Sequence, residues 1–322
     1  MKKAILPLLA FILLCAISGA QPVPGVDENI PNLVTFGSQG ETGWGDDNFT
    51  QIIFFAVPED YAAPVYIRVF DPDVGGENDE QKGEWDTRMR YSIYGGKGSC
   101  SSSDAKKGNV DGDYLSGTML ASKSFGENER YDLKWYTFGP INPDEGEYLP
   151  EFGGYIFKIV IEGVSGDDGN LYRLFLSSEN DRNHKAEGAF AYYFKYKFRM
   201  HDDRNEISHI YPYIDDKVIS IKQTNFDWDN DGYIKIISCA RKGEYVKISA
   251  DDTWNTSTHK ILEAEKNTSL NIQMIKNRAK DVKSNNVVIF LENQYGELLP
   301  FYSVPIGGVP KYSGKIKLTP KK

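Results

Sequence analysis

Residues 70–87 read FDPDVGGENDEQKGEWDT and carry seven carboxylates: Asp71, Asp73, Glu77, Asp79, Glu80, Glu84 and Asp86. Around them stand one glycine pair, Gly75-Gly76, and one lysine, Lys82. In extended chain Asp71 and Asp73 point the same way, and Pro72 stiffens the link between them. The glycine pair permits a tight reversal that returns Glu77 or Asp79 toward them. Asp86, just before the next strand, is placed to close the set. Calcium asks for about six to eight oxygens from carboxylates, carbonyls and water. The same residues also suit a solvated acidic loop, whose repulsion water screens. A third use is a catalytic pair, since glycoside hydrolysis needs two carboxylates about 5–10 Å apart. Asp71, Asp73, Glu77, Asp79 and Asp86 are the candidate calcium ligands. Trp85 inside this stretch and Trp44 in an earlier loop are candidate binding platforms, because loop tryptophans stack on sugars and anchor protein contacts.

A second acidic run is FDWDNDGYIKI, residues 226–236. Asp227, Asp229, Asp231 and Gly232 match the start of an EF-hand loop, but its twelfth position falls on Ser238 where a bidentate glutamate is required. The expectation is a hairpin turn on Asn230-Asp231-Gly232, with a calcium site of another geometry as the alternative. Asp111 and Asp113 in NVDGDY read as a turn. Signatures of catalysis are sparse. The four histidines, His184, His201, His209 and His259, form no closely spaced zinc pair, and GxSxG, Walker and GxGxxG patterns are missing.

The elements that must position these residues read as strands. QIIFFAV (51–57), PVYIRVF (64–70), RYSIYG (90–95), DLKWYTF (132–138), YIFKIVIEG (155–163) and LYRLFLS (171–177) are separated by Gly, Asn and Asp clusters. The last two are expected to form a hairpin through VSGDDGN. In AFAYYFKYKFRM (189–200), Phe190, Tyr192, Phe194, Tyr196 and Phe198 are expected on a core face and Lys195, Lys197 and Arg199 in water. HDDRNEIS (201–208) reads as a linker. Beyond it KVISIKQT, GYIKIISCA, EYVKISA, SLNIQMI, NVVIFLE and LLPFYSV make a second set of strands. The fold class expected is all-β: a jelly-roll-like sandwich over 21–203 and a smaller immunoglobulin-like sandwich over 204–322.

The strand ending in DPDVGG, then WDT, then RYSIYGG resembles the pre-peptidase C-terminal type of secreted bacterial β-sandwich, over about residues 45–200. The resemblance implies a calcium-binding jelly-roll-like domain with Asp71, Asp73 and Asp86 as ligands.

Residues 1–20 read as a secretory signal: Lys2-Lys3, the apolar run AILPLLAFILLCAI, then Ser18-Gly19-Ala20. Cleavage would remove Cys15 and leave Cys100 and Cys239, expected unpaired. The net charge of −9 without a basic block argues against nucleic acid and anionic membranes. The sequons at Asn48, Asn255 and Asn267 are expected to be incidental in a bacterial setting. The function expected is therefore a secreted, periplasmic or surface-exposed, calcium-stabilised binding module for a polysaccharide or surface protein. The rivals are a carbohydrate-active hydrolase and a structural subunit of a surface assembly. A hydrolase would show a cleft holding a carboxylate of raised pKa.

Overall fold

The computed structural model describes residues 22–103, 105–106, 114–128, 130–276 and 282–306. The expected signal segment with Cys15, and Asp111 and Asp113, lie outside the described residues. The fold is all-β: two antiparallel sheets pack as a sandwich around one main hydrophobic cluster. The first sheet runs Trp254–Lys260, Ser220–Phe226, Asn286–Asn293, Lys195–Arg199, Asn32–Phe36, Gly169–Ser177, Val65–Phe70, Trp135–Ile141. The second runs Glu244–Val246, Tyr233–Ile237, Asn271–Ile275, Ile207–Ile214, Phe301–Tyr302, Phe190–Tyr193, Thr50–Pro58, Gly154–Ser165, Arg88–Gly95, Thr118–Phe125. No helix among the described residues is long and apolar enough to cross a membrane.

Period-two alternation builds the core. Val65, Ile67 and Val69 are fully buried between the sheets, as are Val287, Ile289 and Leu291. Each such side chain contributes on the order of 1.5–3 kcal/mol on burial.

Most connections carry the chain from one sheet to the other, and this alters three local expectations. Gly154–Ser165 and Gly169–Ser177 do not form a hairpin: they belong to opposite sheets, and the turn between them spans the sandwich edge. Likewise, the 227–232 segment is not a hairpin turn. It joins Ser220–Phe226 of the first sheet to Tyr233–Ile237 of the second. The aromatic row of 189–200 is split because its strand changes sheets at Phe194. Tyr196 and Phe198 enter the main core, while Phe190, Tyr192 and Phe194 join a second cluster with Phe54 and Tyr302. Tyr193 and Tyr196 stack across the switch with centroids 3.8 Å apart.

The basic face of that strand is not in water. Lys197 is 0 % exposed, and Lys195 and Arg199 are largely covered. The loop after Asn32–Phe36 folds over this face. Lys197 Nζ meets Asp46 Oδ1 at 2.5 Å and Asp47 Oδ1 at 3.3 Å, Lys195 pairs with Asp47, and Arg199 pairs with Glu80. Opposed carboxylates, which the alternation rule does not see, let a buried face carry charge.

The boundary expected at 203/204 is not a break in either sheet. Lys195–Arg199 pairs with Asn286–Asn293 on one side and Asn32–Phe36 on the other, and Phe190–Tyr193 lies between Thr50–Pro58 and Phe301–Tyr302.

Candidate functional site

The Val65–Phe70 strand delivers its chain end to the acidic loop, and there Asp71, Asp73 and Asp79 accept backbone N–H groups. Asp71 sits in the left-handed region at φ 58° and is fully buried. Its Oδ1 accepts from Leu133 N–H at 3.0 Å and its Oδ2 from the Asn78 amide at 2.9 Å. Asp73 Oδ2 accepts from Tyr131 N–H at 2.5 Å. Asp79 takes Gly75 N–H at 2.8 Å on one oxygen and Leu171 N–H at 2.7 Å on the other. The loop is thus pinned to the 131–133 turn and to the Gly169–Ser177 strand by its own acids. A buried N–H needs a partner, and a carboxylate is a strong acceptor.

These acids crowd one another. Burial, joined by the charges of Asp132 and Asp73, pushes the Asp71 carboxyl up to about 6 against the pull of its hydrogen bonds. Burial likewise raises Asp73, and raises Asp79 well above the usual range. Asp132 was not singled out from the sequence, yet it belongs here. Its carboxylate rests on Gly76, where an added Cβ would lie 2.4 Å from Oδ1. Asp132 Oδ1 is buried with no hydrogen-bond partner among the described residues. A cleft of about 300 Å³ opens at this point, lined by Asp73, Gly76, Trp85, Glu127, Asn128 and Asp132.

The five expected calcium ligands do not converge on one centre. Asp71 and Asp73 accept N–H groups of the 131–133 turn and Asp79 that of Leu171, Glu77 is exposed, and Asp86 groups with other acids. Asp86 is joined instead by Asp167 and Asp168, one oxygen from each lying within 4.8 Å of the others. The Glu80–Gly169 bridge brings these distant residues together. Asp168 also accepts from Lys82 N–H at 2.8 Å and Asp86 N–H at 3.1 Å. The sequence signal for this group was the GDDG turn at 166–169, whose acids a turn reading leaves unused.

A second group lies at the 227–232 crossing: Asp227, Asp229 and Asp251 also place one oxygen each within 4.8 Å of one another. Burial, then Asp229, Asp251 and Asp252, pushes the Asp227 carboxyl up to about 7, although the Asp252 N–H donates to it at 2.8 Å. Asp251 was missed because only the fold brings DDTW beside DWDND.

No family model matches this chain, and no curated protein does.

Both groups suit a hard divalent cation, being all-oxygen and acid-rich, with water to complete the shell. Neither has the nitrogen or sulfur donors that zinc selects. Of the tryptophans, Trp228 is fully buried and donates its indole N–H to Asp231 O at 3.0 Å. Trp135 packs against Phe70 on the outer face of the first sheet, with centroids 5.4 Å apart. Trp44 packs against Phe36 under the Lys82 ammonium, 4.3 Å from its ring, and borders an open groove with Thr42, Asp251 and Asp252. Trp85 is half-buried against the main core and presents its remaining surface to the cleft. Trp254 is 44 % exposed and tilts against Phe226 at 4.7 Å. Cys100 is buried, its thiol pushed up to about 12 by burial, and it is not disulfide-bonded; nor is Cys239.

Proposed function

We propose that the protein is a secreted or surface-exposed, non-catalytic binding module, stiffened by calcium at its rim and presenting the Trp85 cleft to a polysaccharide. The observation that carries this reading is the cleft itself. One aromatic face stands beside the carboxylates of Asp73, Glu127 and Asp132 and the amide of Asn128. A sugar offers a ring face to stack and hydroxyls to donate to such acceptors. Calcium would sit at Asp86, Asp167 and Asp168, and at Asp227, Asp229 and Asp251, tying together loops that are far apart in sequence. The first of these groups is next to Trp85 in the chain, so its occupancy would hold one cleft wall.

The test is a glycan-binding screen run with calcium and with EDTA. Binding in calcium that falls at least about tenfold in Trp85→Ala is the expected result, the size of one hot-spot loss. Glycan binding that Trp85→Ala leaves intact would move the site elsewhere.

One observation favours a second reading, hydrolysis. Asp73, its carboxyl raised by burial, shares the cleft with the side chains of Asp132 and Glu127, and glycosidases use two carboxyl groups of which the acid has a raised pKa. Release of reducing sugar by the wild type, abolished in Asp73→Asn, would replace the binding reading with this one.

A further inference from the structure

At the end of the sandwich away from the cleft the inward face of the first sheet turns largely polar. There the first sheet ends in the edge strand Trp254–Lys260 and the second in Glu244–Val246. Moving outward across the first sheet, the inward face changes from Val287, Ile289 and Leu291 to Ile221, Gln223 and Asn225, then to Asn255, Ser257 and His259. Three atoms in this layer are buried and have no hydrogen-bond partner among the described residues: Gln223 Nε2, Ser257 Oγ and His259 Nε2. Gln223 is 0 % and His259 5 % exposed. They are neighbours. Gln223 pairs with Ser257 across the strands, and His259 is two residues further along the same face.

The surrounding bonds fix which end of each group is free. The Asn225 carbonyl accepts from Ser249 N–H at 2.8 Å, and its amide donates to Lys247 O at 2.9 Å. That amide also donates to Gln223 Oε1 at 3.1 Å, so the free end of Gln223 is its NH₂ donor. His259 Nδ1 lies 2.7 Å from Glu244 Oε1. Burial would raise the Glu244 carboxyl, but hydrogen bonds from His259 and Arg241 hold it below the usual range, so it is an acceptor. Nδ1 therefore carries a proton, and Nε2 is an acceptor in the singly protonated ring that the inference requires. The unpaired set is one donor, one acceptor and one hydroxyl that does either.

We infer that Gln223, Ser257 and His259 form a binding site for a neutral hydroxyl group. A cation would face the Gln223 donor and an anion the His259 lone pair, whereas an O–H accepts from Gln223 while donating to His259. A trapped water and a sugar or polyol hydroxyl share this chemistry. The site lies apart from the cleft and stands whether or not the cleft binds glycan.

The test is a high-resolution crystal structure of the full protein from polyol-free solution, with a second crystal soaked in glucose. The expected result is one ordered oxygen within hydrogen-bond reach of all three atoms. Its persistence in glucose assigns it to water, and its replacement by a sugar hydroxyl assigns the site to a ligand. A dry site, with Gln223 bonded directly to Ser257 or His259, overturns the inference, as does a metal ion or anion there. In solution, ¹⁵N-labelled His259 is expected as the Nδ1–H form with a hydrogen-bonded Nε2. In Gln223→Met that nitrogen should shift toward its free value while the Nδ1–H form is kept, and an unmoved Nε2 resonance contradicts the assignment.

Discussion

Lys197 is a residue where removal of one side chain should be strongly destabilising. Its ammonium is fully buried between Asp46 and Asp47, so Lys197→Met leaves the buried Asp46 without its cation, while Asp47 keeps Lys195. Breaking such a pair costs about 3–5 kcal/mol. Urea denaturation should report a loss of that order, with a smaller one for Lys195→Met, whose side chain retains some contact with water. Glu28 makes the opposite case, a carboxyl that favours its proton. Burial pushes it up to about 8, despite hydrogen bonds from Gly25 N–H at 2.7 Å and Tyr196 O–H at 2.9 Å. Its folded pKa is above its unfolded one, so its contribution is complete below about pH 4.5 and is lost as pH rises through about 8. Glu28→Gln should therefore match the wild type near pH 5 and melt higher than it near pH 8.5. Equal wild-type and variant melting profiles across that range would mean the Glu28 carboxyl ionises without penalty.

At the scale of elements, the acidic loop shows what a sequence reveals and what it hides. The strands flanking it were legible, since VYIRVF and RYSIYG alternate cleanly and appear as Val65–Phe70 and within Arg88–Gly95. The crowding of acids and the presence of Trp85 were legible as well. Their partners were not. Asp132, Asp167, Asp168 and Asp251 join these groups through contacts between segments remote in sequence, and local spacing carries no information about them. Nor was it visible that Asp71 and Asp79 would be consumed by backbone N–H groups, because that depends on which N–H groups the fold leaves unpaired. The basic stripe of 195–199 misled for a related reason: alternation identifies a second face but not what covers it. Gly76 offers a test of the loop as an element. It has φ 81°, and a Cβ there would strike the Asp132 carboxylate. Gly76→Ala should cost at least about 1 kcal/mol from the backbone alone and displace Asp132 from the cleft. Unchanged stability and unchanged cleft geometry in that variant would contradict the packing described.

For the whole molecule, strands from both sides of residue 203 share each sheet and the main hydrophobic cluster. A fragment ending at residue 203 would expose the Lys195–Arg199 edge that Asn286–Asn293 covers and open the core beneath it. It is expected to aggregate or lack fixed tertiary packing, as near-ultraviolet circular dichroism would report. The acid groups also set a global pH trend. Asp71, Asp79 and Asp227 all have raised pKa values, so without a cation stability should fall as pH rises from about 5 toward 8. A divalent cation bound by Asp227, Asp229 and Asp251 would remove the Asp227 part of that slope and leave the part from Asp71 and Asp79. The measurement that tests the calcium reading most directly is a thermal melt at pH 7.5 in EDTA and in excess calcium. It should be made on the wild type, on Asp86→Asn/Asp167→Asn and on Asp227→Asn/Asp229→Asn. Calcium at 100 Kd stabilises by about 2.7 kcal/mol per site, and each kcal/mol is about 2–4 °C for a chain near this size. The account predicts a rise of several degrees in the wild type that each double variant reduces. A wild-type melting temperature identical in EDTA and in calcium would contradict it.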